Sequence, residues 1–196
     1  MSQRARRTAS TAVAAVAVAL LVTACSGGDD PSDPGTPAAA SSASEAPDAV
    51  ATTVSFGAVE GKLPRSRRDE LAAEVQEVVD EWIDGAYLGD YPRSDFSAAW
   101  AGFTPGARTK AERDAGLMSN SDVGAQLDAV EPERRSVTLD VLSVRQRPVG
   151  VTAHVVLRFT TTGSGDQDVR VAGRLYLTPG KQGWQVFGYD MTKGAV

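Results

Sequence analysis

The chain holds one thiol, Cys25, and one imidazole, His154, so its stock of reactive side chains is small. A single histidine rules out a two-histidine metal site within this sequence, and a single cysteine rules out an intramolecular disulfide. No phosphate-cradling Gly-rich loop, dinucleotide fingerprint or Gly-x-Ser-x-Gly elbow occurs, and Gly163-Ser164-Gly165 reads as a hairpin turn. These absences leave no residue predicted to hold a cofactor or metal. A Ser-His-Asp arrangement would have to use His154. From Val151 to Phe159 every odd residue is apolar, so His154 is predicted to share the opposite face with Thr152, Arg158 and Thr160. A surface imidazole is the expectation.

Carboxylates are the remaining acid-base candidates, because burial raises an Asp pKa toward neutrality. Asp84 falls on an acidic flank with Glu70, Glu74, Glu77 and Glu81, a pattern that usually marks a solvated helix face. Asp140 has the parity opposite to Leu139 and Val141 and is expected to point outward. Asp190 shares parity with Trp184 and Val186, so it is the one acid expected to point inward, with Tyr189 beside it. Trp82, Trp100, Phe103, Phe159 and Trp184 either pack as plain core or line an apolar ligand pocket. Arg158, Arg170 and Arg174 are expected to gather near His154, as a charged sheet face or an anion-binding patch.

Three segments position these residues. Residues 1–24 have the layout of a secretory signal: Arg4, Arg6 and Arg7, then the apolar run Thr11 to Val22, which is short for a membrane span. Residues 25–52 are rich in Gly, Ser, Pro and Ala, with Val50 the only large apolar residue, and cannot bury enough surface to offset ordering entropy. A tether is expected there, with a root-mean-square reach of about 30 Å. Pro31, Pro34 and Pro37 keep PxxP spacing, but their neighbours are acidic and small. Residues 53–196 form the expected single domain. With the first segment removed, the chain carries 17 basic and 25 acidic residues, a net −8 against −5 for the whole. That balance disfavours nucleic acid as a partner.

Within the domain, Thr53 to Phe56 suggests a short strand. Leu71, Val75, Val78, Val79, Trp82, Ile83 and Ala86 recur at helical spacing and predict a helix from about Arg65 to Tyr87. Phe96, Trp100 and Phe103 suggest a second helix, Thr104-Pro105 opens a third to about Gly116, and a further short one is expected from Asp122 to Asp128. Past Pro132 the period drops to two. Val137, Leu139 and Val141 alternate, and Leu142 and Val144 follow with shifted parity, which suggests a bulge. Strands over Val151–Phe159, Val169–Leu177 (broken at Gly173) and Trp184–Met191 follow, joined by turns at Arg147–Gly150, Gly163–Asp166 and Pro179–Gly183. The predicted class is α+β: N-terminal helices packed on a curved, four-stranded antiparallel sheet.

Leu21-Val22-Thr23-Ala24-Cys25 resembles the lipobox of bacterial lipoproteins, a likeness confined to the first 25 residues. It implies a diacylglyceryl group on the Cys25 thiol, cleavage before it and acylation of the new amine with palmitate-type chains. Several chains at one point give stable anchoring where one is marginal. The implied address is the outer, extracytoplasmic face of the cell membrane. The element order, the Trp100 region and Trp184-Gln185-Val186-Phe187-Gly188-Tyr189-Asp190 resemble the nuclear transport factor 2-like cone domain of polyketide cyclases and ketosteroid isomerases, and in particular actinobacterial lipoproteins that carry it. A cystatin-like sheet wrapped on one helix is the structural alternative. No catalytic motif comes with the likeness, so it speaks to fold more than to function. The leading expectation is a membrane-anchored, non-catalytic binding domain for an envelope protein or a small apolar ligand. An isomerase or cyclase is one alternative, and an accessory subunit of a cell-envelope transport or cell-wall system, docking through the acidic flank, is the other.

Overall fold

A computed structural model describes residues 50–164 and 166–196. The expected signal segment, Cys25 and nearly all of the expected tether lie outside the described residues. The members of the main hydrophobic core all fall between Leu63 and Met191, inside the compact unit Ala46–Val196.

The first helix, α1 (Arg65–Ala86), follows the predicted periodicity. Leu71, Val75, Val79, Trp82, Ile83 and Ala86 are buried on one stripe, each large side chain contributing roughly 1.5–3 kcal/mol by leaving water. The predicted helix over Phe96, Trp100 and Phe103 is instead one 3-10 turn, Ser97–Trp100. Close approach to α1 sets this geometry: a side chain at Gly85 would meet the Ala99 backbone at 2.8 Å, and one at Gly102 would meet Val78 at 2.8 Å. Thr104 caps α2 (Pro105–Arg113), its hydroxyl accepting from the Ala107 amide at 3.4 Å. The helix then breaks at Asp114 and resumes as α3, Ala115–Met118. No helix forms from Asp122 to Asp128; the amides of Val123 and Gly124 turn back onto the Asn120 carbonyl at 3.1 and 2.7 Å.

The sheet has five strands in sequence order: β1 (Thr53–Glu60), β2 (Leu127–Val144), β3 (Arg147–Gly163), β4 (Gln167–Gly180) and β5 (Gly183–Ala195). The expected four-stranded antiparallel sheet is thereby corrected. β2 to β5 do form an antiparallel meander, but β1 joins as a fifth strand, parallel to β2. The long helical connection allows this, since parallel neighbours need a crossover of a dozen residues or more. The register of β1 begins at Thr53 opposite Ser136. The earlier part of β2 is thus an edge, and there Pro132 can lack its N–H without cost to a ladder.

Bulges decide which side chains face the helices. The parity change expected in β2 does not occur: the alternation runs on through buried Ser143 and leaves Leu142 and Val144 exposed, and the register shift beside them places its extra residue, Val149, in β3. The turn that follows lies at Arg145 and Gln146, both at positive φ (50° and 63°), not at Arg147–Gly150. β4 continues through Gly173 without a break; a side chain there would meet the Asp190 carbonyl at 2.1 Å, and Met191 takes up that space. In β5, Tyr176 opposes Gly188 while Leu177 opposes Val186, which leaves Phe187 as an extra residue. Beyond it the buried positions switch from Trp184 and Val186 to Tyr189 and Met191.

Candidate functional site

That one-residue bulge in β5 overturns the inward placement of Asp190. Parity counted from Trp184 holds only to Val186, and Phe187 inverts everything after it. Asp190 lies on the outer face with 70% of its side chain exposed, 3.9 Å from Arg174 Nη1. The same inversion turns Lys193 inward, a residue the sequence reading did not single out.

The aromatic residues take their places in the core. Trp82 and Phe159 are fully buried, and Trp100, Phe103 and Trp184 nearly so. Trp82 meets Tyr87 edge-on at 5.5 Å, Tyr87 meets Phe159 at 5.9 Å, and Trp100 meets Phe103 at 5.6 Å. Trp82 donates its indole N–H to the Met118 carbonyl at 3.2 Å, and Trp184 donates to Glu74 Oε2 at 3.2 Å. Trp184 borders a groove of about 350 Å³ with Glu74, Glu77 and Glu81.

A cleft lies elsewhere, at the end of the sheet where β3 turns into β4. It measures about 420 Å³ and is bounded by the α3 region on one side and by the ends of β2, β3, β4 and β5 on the other. Leu117, Val123, Leu127 and Val169 supply apolar wall, and Asn120, Asp122, Gln167 and Lys193 are among its polar groups, with the hydroxyls of Thr161 and Ser164. Lys193 reaches from β5 under α3. Its ammonium donates to the carbonyls of Gly116 (3.0 Å) and Ser119 (2.8 Å) and to Asp122 Oδ1 (3.2 Å). Burial pulls its pKa below the ordinary lysine value, against the opposing pull of Asp122. Asn120 is buried, donating its side-chain amide to the Tyr87 carbonyl at 3.2 Å and to Tyr91 Oη at 3.1 Å. Tyr87 in turn donates its hydroxyl to the Leu117 carbonyl at 2.7 Å. Burial raises the Tyr87 phenol well above its usual value, and the carboxylate of Asp122 adds to the shift. Lys193, Asn120 and Asp122 therefore tie the walls of the cleft together. With its three N–H bonds engaged, Lys193 has no free lone pair for nucleophilic attack.

A second cluster occupies the outer face. His154 and Asp140 bond side chain to side chain at 2.7 Å, and Asp140 Oδ1 also accepts from the Ala58 amide at 2.8 Å. That amide bond, with the histidine contact second, holds the Asp140 carboxyl below the usual carboxylate value. Both positions agree with the outward orientation expected of them. Asp84, on the acidic flank, pairs with Arg135, which also grips Asp80 at 2.7 Å. Arg170 and Arg174 lie near His154 around a shallow depression. Among the described residues no three His, Cys, Asp or Glu side chains converge to hold a metal ion, and no helix is long and apolar enough to cross a membrane.

Compared with family models, curated proteins and solved structures, the chain matches none of them.

Proposed function

We propose that the chain is an exported lipoprotein, held at the outer face of the membrane by lipid on Cys25, whose domain binds a small, largely apolar ligand in the β3–β4 end cleft without converting it. The lipobox-like Leu21 to Cys25 supports the anchor. The cleft carries the binding half of the reading. Its volume of about 420 Å³ is within the size range of small-molecule sites, which pair apolar walls with a few placed polar groups. Its internal cross-bonding supports binding over turnover, since Lys193 and Asn120 spend their donors on the protein itself. The outward Asp190 removes the acid on which an isomerase or cyclase reading leaned. For the fold we retain the cone-like, nuclear transport factor 2-like reading; the long meander of β2 to β5 laid over α1, with bulges to bend it, is what supports it.

The test is a thermal-shift profile of the chain from Cys25 onward against small apolar compounds. A ligand present at a hundred times its Kd should add about 2.7 kcal/mol of stability. Leu117→Trp, which fills the cleft, should weaken a hit by about tenfold or more while leaving the far-ultraviolet spectrum unchanged. An affinity untouched by Leu117→Trp, or specific turnover of a compound, would defeat the reading. Intact-mass analysis of chain extracted from its native membrane tests the anchor separately, and an unmodified Cys25 would remove it.

A further inference from the structure

The end of the sheet opposite the cleft differs from the rest of the molecule in both charge and polarity. Arg145 and Arg147 are exposed at the β2–β3 turn. Ser143 donates its hydroxyl to the Lys62 carbonyl at 2.7 Å, which sets exposed Lys62 beside that turn. By register, the β4–β5 turn with exposed Lys181 projects from the same end. Glu60 lies opposite Leu142, and Glu74, Glu77 and Glu81 border a groove beside the β4–β5 turn. The β3–β4 end carries exposed Asp122, Asp128, Asp166 and Asp168 instead. The exposed charges at the β2–β3 tip are thus cationic, and those beside the β3–β4 turn are mainly acidic.

Apolar surface gathers at the same pole. Leu142, Val144, Val149 and Phe187 are 53, 50, 41 and 55% exposed, four of the six large apolar residues that are exposed among the described ones. Leu142 and Phe187 border a shallow groove whose wall is mostly apolar, and the Phe187 ring lies tilted at 6.3 Å from that of Tyr176. The turn between the arginines is also conformationally costly. Arg145 and Gln146 both occupy left-handed backbone conformations, where Asn-Gly is the low-cost choice. Strain kept at an exposed tip is a recurrent mark of a functional segment.

We infer that this pole is a membrane-facing surface: the β2–β3 tip and its apolar flank dock on the anionic headgroups of the bilayer. Charge selects this occupant. A negatively charged lipid surface attracts a juxtamembrane cationic cluster and repels the acidic pole, which orients the domain. Leu142, Val144 and Phe187 then bury exposed apolar surface at the boundary between headgroups and acyl chains. The docked orientation would leave the β3–β4 cleft facing away from the membrane. The inference rests on the anchor reading for bringing a bilayer within range, and its test is arranged not to.

The chain from Cys25 to Val196 carrying Val144→Trp is coupled through the Cys25 thiol to a maleimide lipid in vesicles doped with brominated lipid. The native tryptophans are buried, so new quenching reports position 144. Quenching about twofold or more stronger in phosphatidylglycerol than in phosphatidylcholine vesicles, and relieved by salt, is expected. Arg145→Glu with Arg147→Glu should abolish the difference, and Trp placed at Asp166 on the opposite pole should stay unquenched. Equal quenching in both lipids, no quenching in either, or equal quenching from both poles would overturn the inference. An unlipidated Cys25 in cells would remove the anchor reading and leave the quenching result standing.

Discussion

Asp140 shows how a carboxylate on an outer sheet face can still serve as a fastening. The β1 register slips between Phe56 and Val59, and the Ala58 amide there turns to Asp140 Oδ1. Gly57 makes room, because a side chain at that position would meet the same oxygen at 2.3 Å. A carboxyl whose folded pKa is depressed stabilises the protein above its unfolded pKa and loses that contribution as pH falls through the folded value. Stability should therefore begin to drop below about pH 3.8, the ordinary value for this group. Asp140→Asn should flatten part of that drop, seen as urea midpoints compared at pH 7 and pH 3. Equal slopes would argue against the fastening. Tyr189 gives the mirror case. Its hydroxyl donates to Asp114 Oδ2 at 2.6 Å, and Lys110 lies 3.9 Å from the ring centre. Burial first, then the Asp114 carboxylate, raises its phenol above the ordinary value of 10.0. A raised acid favours the fold fully below its unfolded pKa and loses that contribution as pH climbs through the folded one. Unfolding above about pH 10 should thus be partly suppressed in Tyr189→Phe, as followed by circular dichroism across an alkaline titration.

At the scale of elements, β4 and β5 hold their register through two devices. Gly173 adopts φ +153°, and Met191 occupies the space above it. Gly173→Ala should cost roughly 2–4 kcal/mol, from a strained backbone and a contact with a carbonyl that cannot yield. Denaturant midpoints measure this, and a loss below about 1 kcal/mol would show the strand able to shift. The second device is the Phe187 bulge. Without it Tyr189, Met191 and Lys193 would all turn outward. The Phe187 deletion should therefore yield a chain that no longer unfolds cooperatively, a stronger effect than Phe187→Ala, which only trims an exposed ring.

For the molecule as a whole, α1 and the region after α2 are joined to the sheet by a few long-range ties. Trp82 packs at the centre and caps the Met118 carbonyl. Trp82→Ala should cost roughly 3–5 kcal/mol, as large aromatic truncations in packed cores do. Lys193 makes the other tie, linking β5 to three acceptors after α2. Lys193→Met would strand those acceptors, each worth roughly 1–3 kcal/mol when left unsatisfied. Its signature should be local: faster amide exchange over residues 115–124, with the core strands protected as before. Uniform acceleration across the domain would instead make Lys193 part of the global core.

Much of the fold could be read from local pattern. The α1 stripe, the Thr104 cap, the alternation in β3 and the hairpin order of β2 to β5 follow from side-chain period and turn chemistry, which neighbours along the chain set. The outward placement of His154 and Asp140 follows from the same parity. What the linear pattern could not contain was whatever one strand imposes on another. The parallel pairing of β1 depends on where a long helical crossover returns the chain. The outward turn of Asp190 and the inward turn of Lys193 depend on a single unpaired residue, Phe187, whose presence is visible only against β4. Alternation is a property of one strand, whereas register belongs to two. For that reason the sequence determined the long helix and the order of the hairpin strands, and tertiary structure alone decided the short turns after α1 and which titratable groups face the cleft.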